Sequence, residues 1–359
     1  MRLSKLKLNR LLFNILFWSF VFAFVLGIRY YDIGNIAFIQ LPVEIPSYRI
    51  FVNGIILGLL VGVFYTVVEN RLDSIGIYNN SLGRIILLRT FYLFVVSGTA
   101  LAFAAYLNYL FDAYKGTITA GETGYGRYIF STTVKFLFLA ALVGNFTLSI
   151  FYTLKSKIGS TEFNNLLMGL YRSPKEEFRA FMFLDLKSST TIAESLGHRK
   201  YSQLIQSCFR DLTEAILETE AEVYQYVGDE VVLSWSGDSA LRNANCVKIY
   251  FEFCKKLESK RDYYEREYGA LPLFKAGVNM GTVTVVEVGV LKRAIVYHSD
   301  VLNTAARIQS LCNQYGQVLL VSEEIRNGLN NSGYSFNFIG DVLLRGKSVS
   351  VNIYSCEKH

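Results

Sequence analysis

Two short apolar runs each end on an aspartate where a strand would give way to a turn. The first reads Phe181-Met-Phe-Leu-Asp185-Leu-Lys-Ser-Ser-Thr190, and the second Tyr226-Val-Gly228-Asp229-Glu230-Val-Val-Leu-Ser-Trp235. In the first, small and hydroxyl-bearing residues follow the carboxylate. The backbone amides of Leu186 to Thr190 suit a phosphate at a helix start. In the second, Gly228-Asp229 between apolar runs is a two-residue hairpin signal. Two aspartates brought together at strand ends can hold a pair of divalent ions about 4 Å apart, the arrangement for in-line attack at phosphorus. Hard oxygen donors of this kind select Mg²⁺ or Mn²⁺. Alone, Asp229 is equally a turn residue and Asp185 a helix cap. Together they point to chemistry on a nucleotide.

Further along, Ser299-Asp-Val-Leu-Asn303-Thr-Ala-Ala-Arg307 sets an asparagine and an arginine four apart, on one face of a helix. Leu344-Arg345-Gly346-Lys347 precedes the last apolar run. In order and spacing these segments resemble the class III nucleotidyl cyclases, the adenylate and guanylate cyclases, over about residues 178–354. The resemblance implies that Asp185, Asp229 and the backbone of Leu186 hold two Mg²⁺ or Mn²⁺ ions per active site. It implies a triphosphate cradle at Leu186, Lys187, Ser188, Ser189 and Thr190, with Asn303 orienting the ribose and Arg307 neutralising charge on the α-phosphate. Arg345 stands where the family carries a phosphate-binding lysine, with Lys347 behind it. An arginine there keeps the charge but presents a planar fork.

The same resemblance implies a homodimer with two equivalent sites. One chain gives each site its metal ligands, and the other gives Asn303, Arg307 and the base pocket. The expected reaction converts a nucleoside triphosphate, ATP first, to the 3′,5′-cyclic monophosphate and pyrophosphate. At the base-reading positions the chain departs from the family. Gln225 stands three before Gly228, where lysine or glutamate is usual. Val296 stands seven before Asn303, where aspartate or threonine is usual for adenine. Glutamine both donates and accepts hydrogen bonds, whereas valine does neither. Tyr297 or Ser299 is then the substitute reader. These departures keep open a weak or inactive cyclase-like domain that binds nucleotide and signals through dimer geometry. A diguanylate cyclase shares the Gly-Asp-Glu turn but has no place for the Asn-x-Ala-x-Arg helix.

The elements that must position these residues occupy only the second half of the 359-residue chain. Residues 1–154 are dominated by Leu, Phe, Val, Ile and Gly, residues 155–177 form a joint, and residues 178–359 read as a folded α+β domain. A bilayer crossing needs about 20 apolar residues. Four segments qualify: Leu11–Ile28, Ile50–Val68, Ile86–Leu107 and Val134–Leu154. Arg89 interrupts the third near its start and is expected to snorkel to the interface. No acidic cluster is visible within the spans, which favours an anchor or dimeriser over a sensor. Arg2, Lys5, Lys7, Arg10, Arg71, Arg84, Lys155 and Lys157 fall on one side if there are four crossings. The positive-inside rule then puts both termini and the catalytic half in the cytoplasm, at the inner membrane.

The net charge of +6 includes those flanking basic residues and makes no case for a nucleic-acid partner. Five scattered cysteines, all in the second half and with no Cys-x-x-Cys pair, fit reduced thiols. Three histidines argue against a histidine-built zinc site. Around the motifs, the pattern predicts a strand at Arg179–Leu186, a helix at Thr191–Glu218 and a hairpin at Val223–Val227 and Val231–Trp235. A long helix over Asp238–Tyr268 follows, then strands at Leu273–Asn279, Val283–Val288 and Ala294–Tyr297, and the helix at Ser299–Cys312. Strands near Gln317–Val321, Tyr334–Ile339 and Ser350–Tyr354 close the chain. This alternation around an antiparallel hairpin predicts a ferredoxin-like palm behind a helical membrane domain.

Overall fold

The computed structural model describes residues 2–32, 47–74, 82–114, 132–158, 160–291, 293–329, 332–342 and 350–358. They fall into two compact units, Leu3–Ile158 and Gly159–His359.

Among the described residues the first unit is four helices: α1 (Arg2–Asp32), α2 (Ser47–Ser74), α3 (Leu82–Tyr114) and α4 (Thr132–Ile158). Each holds a stretch long and apolar enough to cross a membrane: Lys7–Ile28, Phe51–Arg71, Gly83–Ala104 and Val134–Ser156. Gly54, Gly58 and Gly62 lie one turn apart along α2. A Cβ at Gly58 would fall 2.2 Å from the Ser19 backbone on α1, so the two helices meet backbone to backbone. Trp18, Phe22, Val61, Tyr65 and Leu93 fill the interior.

Arg89 does not reach out to an interface. It is buried against the equally buried Glu69 of α2 and also reaches Thr153 Oγ1 on α4 (3.5 Å). The Asn14 amide on α1 donates to Thr66 Oγ1 (2.9 Å), and the Tyr152 hydroxyl on α4 donates to Asn14 Oδ1 (2.6 Å). A closed ring of polar contacts thus ties all four helices. It was hidden in the sequence because Glu69 falls just past the second apolar run, where it reads as a flank. Replacing Arg89 by methionine is expected to destabilise this unit by on the order of 3 kcal/mol, because a carboxylate loses its buried counter-charge. Equilibrium unfolding in mixed micelles reads the effect, and a loss under about 1 kcal/mol would mark the pair as energetically idle.

The second unit begins with a short helix, α5 (Ser160–Met168), and β1 (Lys175–Leu186). Then come α6 (Ser189–Glu218), the hairpin β2 (Glu222–Val227) and β3 (Glu230–Ser236), and β4 (Phe274–Val288) with β5 (Ala294–His298). The sheet order β2-β3-β1-β4 gives the ferredoxin-like core. It continues through β6 (Leu319–Ser322), β8 (Val351–Lys358) and β7 (Tyr334–Val342), while β5 pairs with β4.

Two expectations are corrected here. The long helix over 238–268 is broken into α7 (Gly237–Leu241), a 3-10 turn (Arg242–Ala244), α8 (Asn245–Ser259) and α9 (Arg261–Tyr268). Asn243 and Ala244 take positive φ at the first break. At the second, Lys260 (2.5 Å) and Tyr264 (2.7 Å) both turn to the buried Asp211 carboxylate of α6. Conversely, the two strands expected at 273–279 and 283–288 are one 15-residue strand, β4. Gly281 does not interrupt it, because the Val301 side chain occupies the space a Cβ would take (2.8 Å).

One face of the sheet packs against α6 and α8 around Met182, Leu233, Trp235, Phe253 and Val278. The opposite face carries Phe181, Val232, Val283, Val285 and Ile295, partly covered by Val301 and Ala305 of α10 (Asp300–Ser310). Alternation along a strand places Asp185 on this second face with Phe181 and Phe183.

Candidate active site

Asp185 is the penultimate residue of β1, and Asp229 sits in the turn between β2 and β3. Gly228 takes a φ of 62° with open space around it, which lets the turn close in two residues. Burial first, and then the charge of Asp229, raise the Asp185 pKa. Lys275 Nζ (3.4 Å) and the Gln309 amide (3.0 Å) reach Asp185 Oδ2 from the other side. Asp229 Oδ2 is buried and has no hydrogen-bond partner among the described residues. A buried, unpaired carboxylate oxygen is costly unless a cation meets it. Two facing aspartates with an orphaned oxygen fit a divalent ion of the Mg²⁺ or Mn²⁺ class.

The next residue joins the pair. Glu230 lies on the same sheet face, and its carboxyl is pushed up to about 7, by burial and then by Asp185 and Asp229. Opposite the turn, the Tyr201 hydroxyl on α6 is pushed up to about 12, by burial and then by the charge of Asp229. The phosphate-cradle segment follows Asp185 directly. The Lys187 amide donates to the Leu273 carbonyl (2.8 Å), which fixes the chain as it leaves β1. Ser188 then takes a φ of 57°, the left-handed region, and caps α6 without a side-chain hydrogen bond to the helix. The first amides of α6, from Ser189 and Thr190, therefore have no side chain bonded across them. That is the condition for anion binding at a helix start.

The remaining expected residues divide. Asn303 is exposed on α10 and Arg307 is half-buried one turn on. Gln225 is exposed on β2, opposite Val232, beyond a bulge at Tyr224. Tyr297 on β5 sits on the aromatic face, its ring 5.2 Å from Phe181 and 5.0 Å from Tyr224. Val296, one residue earlier, points to the other face of the strand. Arg345 and Lys347 lie outside the described residues.

Gln309 and Lys275 were not expected. Gln309 follows Arg307 by two, on the buried side of α10, where only the packing of α10 on β4 brings it to Asp185. That packing depends on Gly277: a Cβ there would stand 2.2 Å from the Gln309 amide nitrogen. Lys275 could have been found from strand pairing alone, since its register partner is Asp185.

A family model described as the adenylate and guanylate cyclase catalytic domain matches residues 172–357, just over half of the chain. Adenylate cyclase 2 of Rhizobium meliloti (strain 1021) is 32% identical over 168 residues, covering 47% of this chain and 46% of that protein. An adenylate cyclase of Anabaena cylindrica is 23% identical over 178 residues, covering 48% of this chain and 35% of that one. The chain thus spans less than half the length of these relatives. Among solved structures, a bacterial light-regulated adenylyl cyclase matches with a TM-score of 0.52 at 19% identity, over 60% of this chain and 63% of that one, which marks a shared fold.

Proposed function

We propose, because the chain belongs to the adenylate and guanylate cyclase catalytic-domain family, that it converts a nucleoside triphosphate, ATP first, to the 3′,5′-cyclic monophosphate and pyrophosphate. The observation that carries this reading is the interacting pair Asp185 and Asp229, with a buried carboxylate oxygen that has no hydrogen-bond partner among the described residues. Two Mg²⁺ or Mn²⁺ ions held by Asp185, Asp229 and the Leu186 backbone would lower the pKa of the ribose 3′-hydroxyl and neutralise the β- and γ-phosphates. The start of α6 receives the phosphates through backbone amides. Arg307 meets charge growing on the α-phosphate, and Asn303 fixes the ribose for in-line attack. Arg345 adds a further positive charge for the phosphates, and Gln225 and Tyr297 read the base.

The reading includes a homodimer. Gln309 touches its own Asp185, and residues two apart on a helix point about 200° apart. Arg307 and Asn303 therefore face away from the metal pair of their own chain, which supports completion of each site by a second copy. It also includes anchoring in the inner membrane by α1 to α4, with both termini in the cytoplasm, supported by four sufficiently apolar helices and by the basic residues at their ends.

A second reading, a nucleotide-binding domain without turnover, is favoured by Val296, which brings no hydrogen-bonding group to the base-reading face. The deciding assay supplies ATP, GTP, CTP and UTP separately, with Mn²⁺, to the full-length protein in detergent, with products identified by mass. Cyclic AMP is the expected product. A different cyclic nucleotide keeps the chemistry and corrects the substrate. Binding without product from any of the four overturns the enzyme reading.

A further inference from the structure

Arg179 lies in the middle of β1 with its side chain buried on the same face as Asp185, six residues away. Its guanidinium is shared among four partners. It pairs with Glu222 on β2, donates to Ser234 Oγ on β3 (3.0 Å) and to Glu177 Oε2 (3.2 Å), and lies 5.1 Å from the centre of the Tyr297 ring on β5. Glu222 and Tyr297 belong to the two strands that flank this part of the sheet. Three strands, β3, β1 and β4, separate β2 from β5. In a flat sheet four strand spacings amount to about 19 Å. Yet the Tyr224 and Tyr297 rings are 5.0 Å apart. The sheet twists, and its outer strands fold toward each other over β1, with Arg179 as the polar bridge beneath the aromatic pair.

The bridge continues toward the start of the unit. The Tyr171 hydroxyl donates to Glu177 Oε1 (3.0 Å) and accepts from the Asn165 amide of α5 (3.2 Å). The Tyr171 carbonyl accepts from the Glu287 amide on β4 (2.8 Å).

We propose that Arg179 is a positioning residue for nucleobase binding: with Glu222 and Tyr297 it clasps β2 and β5 over β1, and so sets the spacing of the strands that carry Gln225 and the base-facing Tyr297. This deepens the cyclase reading and rests on it. Gln225 is three residues beyond Glu222 on the same strand, past the Tyr224 bulge, so a strand freed at Glu222 moves the glutamine. Tyr297 is held by the guanidinium itself. The planar fork is what makes the bridge possible, because one group bonds two carboxylates while lying against a ring. The metal ligands sit at the other end of β1 and are held by Lys275, Gln309 and the hairpin turn. Loss of the clasp therefore loosens substrate binding more than it slows the chemical step.

The test measures kcat and KM for ATP and GTP in full-length protein with saturating Mn²⁺, for Arg179→Met, Arg179→Lys, Glu222→Gln and Tyr171→Phe. Arg179→Met is expected to raise KM for the preferred nucleotide on the order of ten-fold with kcat within about two-fold, and to narrow the ATP-to-GTP preference. Arg179→Lys keeps the charge without the fork and recovers part of the loss. Glu222→Gln shifts KM in the same direction by less. Tyr171→Phe should move KM least, since its hydroxyl acts through Glu177. A merely structural role lowers the active fraction, which reduces kcat at constant KM, and that outcome overturns the proposal. Unchanged KM and preference in both Arg179→Met and Glu222→Gln also overturns it. If Arg179→Met fails to fold, Glu222→Gln decides. If the wild-type chain makes no cyclic nucleotide, the cyclase reading fails separately, and the clasp is judged on the Kd of a fluorescent ATP analogue. There, roughly ten-fold weakening in Arg179→Met supports it, and equal Kd, or no binding even by wild type, overturns it.

Discussion

Replacing Asp229 by alanine is expected to cut cyclic-nucleotide formation by on the order of 10³-fold while leaving the catalytic unit at least as stable as before. The two halves of this expectation come from the same atoms. Asp229 Oδ2 is buried without a hydrogen-bond partner among the described residues, and the charge of Asp229 raises the pKa of Asp185. In the absence of a bound cation this is a like-charge pair in a partly desolvated place, which opposes folding. Alanine removes the repulsion and the orphaned oxygen together. The turn itself survives, because the positive φ belongs to Gly228. Thermal unfolding in EDTA should therefore show no loss, and Mn²⁺ should protect wild type but not the variant, because an ion that binds only the folded state stabilises it. Asp185→Asn should lose turnover to the same degree with the side-chain volume kept, but it also leaves Lys275 without its carboxylate and so is expected to lower stability. If Asp229→Ala retains more than about a tenth of wild-type turnover, the aspartate pair is not the metal centre.

The parts of the site legible in the sequence are those made by local rules. Asp185 at the end of an alternating strand and Asp229 in a Gly-Asp turn each follow from a few neighbouring residues. So does the pairing of Asn303 and Arg307 on one helical face. What the sequence concealed was made by contacts between distant segments. Gln309 meets Asp185 across 124 positions. The Glu69–Arg89 pair needs two helices to pack before either charge has a meaning. Arg179 reads as one more polar residue at a strand start until the twist of the sheet brings Glu222 and Tyr297 to it. The misjudged elements have the same origin. The helix over 238–268 breaks where Lys260 and Tyr264 converge on Asp211. The strand at 274–288 continues through Gly281 because Val301 packs onto it. A periodicity rule sees the glycine and misses the valine that makes use of it.

An equimolar mixture of Asp185→Ala and Arg307→Ala chains, allowed to exchange subunits, is expected to recover about one quarter of wild-type activity although each parent is inactive. The figure follows from symmetry. Random pairing makes half of the dimers mixed, and each mixed dimer holds one site with both defects and one with neither. The structural reason to expect shared sites lies in α10. Its inner face, Val301, Thr304, Ala305, Ile308 and Gln309, is buried, and Gln309 on that face is bonded to its own Asp185. The helix cannot also turn Arg307 toward Asp185, because the two side chains leave the axis about 200° apart. Asn303 shares the outward direction with Arg307. On the proposed mechanism, the arginine that meets the α-phosphate and the aspartate pair that meets the 3′-hydroxyl would then come from different copies of the chain. Co-expression from one membrane avoids reliance on exchange in detergent, and the mixture is compared with the sum of the parents. Activity equal to that sum would place both residues in one chain's site and require α10 to rotate on β4, which Gly277 and its contact with the Gln309 backbone oppose.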